Sequence, residues 1–331
     1  MYDHYIALDW AQSNMAIARM TKQTDFLKVF EYKADLGELK IYLDSIRGTK
    51  VLAFEETTTA HWLYVELLEH VDKIIVCDPY RNKLLSEGAK TDKIDASKLV
   101  KLLKGGYMKP VFHSTDRIIE LRKLVSSYND LVARGVRLKN QKSAILRGQG
   151  LPKNAELPKT DGHQTFVMQR IENAIQQYED DKKLYESEFE KLLKAETTLK
   201  HLKQLPGIGP IGAVKIFATV VDARRFAHRN DFLAYSGLAR LERMSGGRSY
   251  GSKRPRFRQE LKSVFKTAAL AAIGGDNCFR EVYESLIKNL RYPDHKARHA
   301  VARSIATSVW GVMKTGKRFS EEKVREKFLK K

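Results

Sequence analysis

Strand-forming runs are confined to the first hundred residues of this 331-residue chain, and everything after His113 is patterned for helix. That asymmetry predicts an α/β domain followed by all-α structure, not one α/β layer of full length. From residue 4 onward the runs HYIALDWA, MAIARMT and FLKVFEYK have strand character. The polar turns between them, QSN and KQTD, suit an antiparallel meander. Helix-like LGELKIYLDSI, the strand VLAFEE, helical HWLYVELLEH, the strand KIIVCD and a helix from Tyr80 then alternate as an α/β layer requires. Residues 1–113 therefore read as one domain built on a mixed sheet.

Long helical patterns run from about Thr115 to Arg147 and from about His163 to Gln204, separated by GQGLPKNAELPK. In the second, Val167, Ile171, Ile175, Tyr178, Tyr185, Phe189 and Leu192 or Leu193 recur at three- and four-residue steps, which predicts an αα-hairpin or coiled-coil linker over 114–200. Residues 201–331 read as a third, helical region with Gly-rich interruptions and a basic end, KVREKFLKK. There is no internal repeat.

Composition sets the partner. Lysine and arginine number 60 against 40 acids, a formal net charge of +20, and such a field attracts polyanions. Nucleic acid is the expected ligand. No apolar run approaches the ~20 residues of a membrane span, and MYDHYIALDW lacks the basic-then-apolar order of a signal peptide, so a cytoplasmic location is expected. Cys77 and Cys278 are too few and too far apart for a disulfide framework or a zinc site.

Four acids stand out. Asp9 ends the first predicted strand, where a side chain projects from the edge of the sheet. A nucleotide-binding ATPase can begin in the same way, but its phosphate turn needs glycines beside the acid, and DWAQSNMA has none. Glu55 closes VLAFE, and Glu56 points to the opposite face because strand side chains alternate. Glu55 is the candidate if its strand neighbours that of Asp9. In KTDKIDASKLVKLL, Asp92 and Asp95 share one helix face with Ala96, Leu99 and Leu103. The other reading makes Asp92 the N-cap and Asp95 a first-turn acid that stabilises the helix dipole. Carboxylates crowded near a buried edge suit Mg2+ or Mn2+, and acids drawn from separate segments are how two-metal phosphoryl-transfer sites are built.

The second half offers binding groups. HLKQLPGIGPIGAVKIFATV has the pattern of a helix-hairpin-helix, in which Gly207 and Gly209 would let backbone N–H groups approach a phosphate; a plain packed hairpin is the competing reading. Gly237 to Lys262 carries eight lysines and arginines against two glutamates, as a phosphate-gripping loop would. Within it Ser245, between Arg243 and Arg248 and before two glycines, is the nucleophile candidate, with Ser249 and Ser252 as alternatives. Lys253, Arg254, Arg256 and Arg258 extend the cationic stretch.

Taken in order, ALDWA, FEETT, KTDKIDA, LPGIGP and YSGLARLERMSGG resemble the DEDD transposases of bacterial insertion sequences, a family that includes pilin-gene invertases and bridge-RNA-guided recombinases. The resemblance implies that Asp9, Glu55, Asp92 and Asp95 hold Mg2+ or Mn2+ and that Ser245 is the family's serine. It also implies a RuvC/RNase H-like N-terminal domain, DNA as donor and target, a structured guide RNA, and a dimer or tetramer in which acids of one subunit meet the serine of another. Thr58 stands where the family often has glycine, which leaves Glu55 against Glu56 open, and Asp78 adds a fifth carboxylate. The alternative is a Holliday-junction-resolvase-like metal nuclease without a covalent intermediate.

Overall fold

The computed structural model describes residues 1–79, 91–114, 116–153, 155 and 162–328. The chain forms two compact units, Met1–Asp116 and Arg117–Lys331.

In the first unit, β1 (His4–Trp10), β2 (Asn14–Thr21) and β3 (Lys28–Lys33) form the expected antiparallel meander. After α1 (Leu36–Ser45), β4 (Lys50–Glu55) pairs parallel to β1; after α2 (Ala60–Leu67), β5 (Lys73–Cys77) pairs parallel to β4. The mixed sheet has the order β3-β2-β1-β4-β5. The helix expected from Tyr80 lies outside the described residues as far as Lys90; α3 (Asp92–Lys104) follows.

The two faces of the sheet carry different side chains. One presents Ile6, Leu8, Met15, Ile17, Leu52 and Phe54 to Leu39 and Leu43 of α1 and Leu63 and Leu67 of α2. The other presents Ala7, Ala16, Ala18 and Ala53 to Ala96, Leu99, Val100 and Leu103 of α3. Strand alternation produces this division, and the alanines leave room for a helix to lie close. Thr91, in extended conformation, caps α3 by accepting a hydrogen bond from the Ile94 N–H at 3.3 Å. At the far end Lys104 Nζ donates to the Thr24 carbonyl (2.9 Å) and Asp25 (2.8 Å).

The second unit begins with α4 (Asp116–Gly148) and α5 (His163–Ala195), two long helices that run antiparallel. Tyr128 meets Glu186, Lys139 meets Glu179, Lys142 meets Glu172 and Gln149 meets Gln164, so the partner's number falls as the first rises. The second helical pattern does not continue to Gln204 as expected. It stops at Ala195, where Glu196 turns extended and caps α6 (Thr197–Lys203). The β-branched pair Thr197–Thr198 favours this break. Then come α7 (Pro210–Val220), a 3-10 turn (Ala223–Arg225) and α8 (Arg229–Tyr235). After them follow α9 (Gln259–Ile273), α10 (Cys278–Lys288), α11 (Asp294–Thr315) and α12 (Glu321–Phe328) around Phe232, Phe265, Phe279, Val301 and Ile305.

Between α8 and α9 the glycine-rich stretch expected as a loop is a β-hairpin, β6 (Leu241–Ser245) and β7 (Arg248–Lys253). Gly246 and Gly247 have φ of 55° and 76°, the pair of left-handed residues that closes a two-residue hairpin with the right twist. Gly207 also lies at positive φ (85°), and a Cβ there would stand 2.1 Å from the Ala268 carbonyl oxygen of α9. Its lack of a side chain serves the packing of α9.

Three outcomes follow. Gly207→Ala should lower stability by about 2 kcal/mol or more in urea unfolding. Gly209→Ala, whose Cβ meets nothing within 4 Å, should cost under about 1 kcal/mol. Ala18→Leu should cost about 1–3 kcal/mol by lifting α3 from the sheet.

Candidate active site

Register puts two acids side by side. Leu8 of β1 pairs with Phe54 of β4, so Asp9 and Glu55 are the next residues out on neighbouring strands; Asp9 also pairs with Ala16 and Glu55 with Cys77. Alternation from Ala7 and Ala53 directs both to the face that α3 covers. Asp92 and Asp95 occupy the first turn of α3, just ahead of buried Ala96. Thr91 is the cap, so Asp92 is not; Asp95 is a first-turn acid, as the competing reading had it, and Asp92 stands there beside it.

Asp9 senses the other two aspartates. Its half-buried carboxyl is pushed up to about 6, first by burial and then by the negative charges of Asp92 and Asp95. Oxygen donors that repel one another match in kind what a hard divalent cation takes, and a cation would offset that repulsion. Among the described residues, no three acid, histidine or cysteine side chains stand close enough to enclose an ion. The acids converge without yet clasping.

Glu56 is occupied elsewhere. Its carboxylate lies 2.5 Å from His113 Nε2, and the His113 ring stacks on His61 with centroids 5.8 Å apart. Tyr64 completes this group, 5.2 Å from the His113 ring. Reading the sequence missed it, because single histidines 52 positions apart carry no spacing signal. Asp78 follows Cys77 out of β5, where alternation turns it from the face of Asp9 and Glu55.

The remaining candidates belong to the second unit. Ser245 ends β6 beside the turn, exposed; its cross-strand partner Arg248 and Arg243, two residues earlier, share its face. Ser249 pairs with Met244, and the Ser252 hydroxyl accepts a hydrogen bond from Arg240 at 3.3 Å, so these serines stand farther from the tip. Lys253 closes β7, and Arg254 and Arg256 follow it, exposed. Arg258 precedes α9 and donates to the Tyr235 hydroxyl at 3.2 Å, which gives it a structural duty. Gly209 is the N-cap of α7 and borders a recess lined also by Lys183, Glu186 and Glu190.

The carboxyl of Asp9 titrates higher in the fold than its ordinary 3.8, so the native state favours the protonated form. Stability is fully present below about pH 4 and falls as pH rises through about 6. In chelator, Asp9→Asn protein should therefore melt above wild type at about pH 7, and the difference should close near pH 4. Equal midpoints at neutral pH would mean that neither burial nor the neighbouring aspartates raise the Asp9 carboxyl.

Two family models match in chain order. Residues 6–149 match a DEDD transposase model of the IS110 type, described as "Transposase", and residues 199–284 match "Transposase IS116/IS110/IS902 family". The first match includes the four converging acids and the second the hairpin with Ser245. No curated protein matches the chain. Since the two matches together span more than half of its length, in the order that puts acids before serine, the chain belongs to the IS110-type family of DEDD transposases.

Proposed function

We propose that this DNA transposase cuts and rejoins strands through a serine intermediate, with Asp9, Glu55, Asp92 and Asp95 holding Mg2+ or Mn2+. The observation that carries the reading is the approach of Asp92 and Asp95, in the first turn of α3, to Asp9 at the strand end, where burial first and their charges second raise the Asp9 carboxyl. The strand order β3-β2-β1-β4-β5, with helices on both faces, supports a RuvC/RNase H-like domain. A bound divalent cation would stabilise negative charge on the oxygens of the scissile phosphate.

The residues of the chain do the rest. Ser245 Oγ attacks phosphorus, losing its proton to solvent; the O–P bond forms as the bond to the 3′ oxygen breaks, and that oxygen leaves as a hydroxyl after taking up a proton. A 3′ hydroxyl of a second strand then attacks the phosphoserine and releases Ser245, so no energy source is consumed. Arg243 and Arg248, on the same face of the hairpin, offset charge on the phosphate. Lys253, Arg254 and Arg256 add backbone contacts. Acids and serine meet between subunits of a dimer or tetramer, and a structured RNA guides the choice of site. Such a substrate places the protein in the cytoplasm at the nucleoid. Among the described residues no helix is long and apolar enough to cross a membrane.

The test is strand cleavage with Mg2+, flanking-element RNA and target duplex, resolved on denaturing protein gels. Wild type should give a DNA-linked band; Ser245→Ala and Asp92→Asn should each reduce joining at least 100-fold, Ser245→Ala without loss of DNA binding. Cutting by Ser245→Ala at the wild-type rate would make the protein a metal nuclease that uses water.

A further inference from the structure

The second unit carries a groove of about 1380 Å3 walled by α8, α9, α11 and the base of the β6–β7 hairpin. Pockets that enclose small molecules hold roughly 300–1,000 Å3, so this one has room for a larger ligand. Its charge is one-sided. Lys262 and Lys266 stand one turn apart on α9, His299 and Arg303 one turn apart on α11, and Arg240 and Arg254 flank the hairpin's base. Two carboxylates join the lining, Glu242 and Asp294, and Asp294 is already bound by Arg298 (2.8 Å) and the Tyr283 hydroxyl (2.7 Å). Among the described residues, none of Arg240, Arg254, Lys262, Lys266 and Arg303 has a carboxylate within salt-bridge distance.

The cations therefore act on one another. The imidazole of His299 is held below its usual range by burial, then by Arg303, Lys266 and Lys262. Lost hydration lowers the Lys262 ammonium, and Arg254, Lys266 and Arg240 lower it further. Like charges lining a concave wall focus their field, and a polyanion laid along it offsets their repulsion.

We propose that this groove binds the phosphodiester backbone of a nucleic-acid strand, with Lys262 and Lys266 on one wall and Arg303 on the other each taking a phosphate. The groups are cations rather than paired donors and acceptors, so the contact positions a strand without reading its bases. The inference shares with the preceding section only its nucleic-acid ligand and is independent of which atom attacks phosphorus.

The test is fluorescence anisotropy in chelator with labelled duplex DNA, single-stranded DNA and an RNA hairpin of equal length, over about 50–200 mM salt. Lys266→Ala/Arg303→Ala should bind at least one probe ten or more times more weakly at about 100 mM salt. The slope of log affinity against log salt should shrink by about two, roughly 0.9 per phosphate contact. Arg303→Lys should bind as wild type. The probe that loses most affinity identifies the strand that the groove holds. Should the double variant fail to fold, Lys266→Gln alone should shrink the slope by about one. An unchanged slope on all three probes, with or without weaker binding, would overturn the proposal. Asp92→Asn should cut nothing yet bind all three probes normally, so failure of the chemistry and failure of the groove are separable.

Discussion

Small side chains on one face of the sheet let α3 lie close, and the candidate site depends on that seat. Ala7, Ala16, Ala18 and Ala53 face Ala96, Leu99, Val100 and Leu103, where the opposite face carries Ile6, Leu8, Leu52 and Phe54. Had the larger residues been on the α3 side, the first turn of that helix would stand farther from the strand ends. The carboxyls of Asp92 and Asp95 would then act on Asp9 through more water and less protein. The same packing explains how a mutually repulsive group is tolerated: burial elsewhere along α3 holds it in place, and Asp92 and Asp95 stand in the first turn, where the helix dipole favours negative charge.

Charge is divided between the units in a way that fits this chemistry. The first unit gathers carboxylates at a sheet edge, and the second gathers cations in a groove and on a hairpin. An enzyme that handles a polyanion needs both. Cations attract a phosphate backbone, and oxygen donors that repel one another match in kind what a hard divalent cation takes.

Much of the first unit was legible in the sequence because its strands alternate or are continuously apolar and its turns are polar; HYIALDWA, VLAFEE and KIIVCD read directly as β1, β4 and β5. Asp9 and Glu55 could be placed at strand ends, but their adjacency needed the register. The capping of α3 by Thr91 was hidden because Asp92 is an equally good cap by type. The β6–β7 hairpin was missed as structure because both strands are exposed and polar, so no buried face imposes a period of two. That a side chain at Gly207 would meet the Ala268 carbonyl was not legible, because the contact is made by a helix some sixty residues on. The groove was invisible for the same reason: Lys262 and Lys266 meet His299 and Arg303 only once α9 packs on α11.

The hairpin has a consequence of its own. A two-stranded ribbon whose residues are all exposed has no core behind it, and such a ribbon holds its shape only weakly in water. The direction of the Ser245 hydroxyl is therefore set by the two-strand ladder alone, with no packed layer behind it to hold the ribbon at one angle.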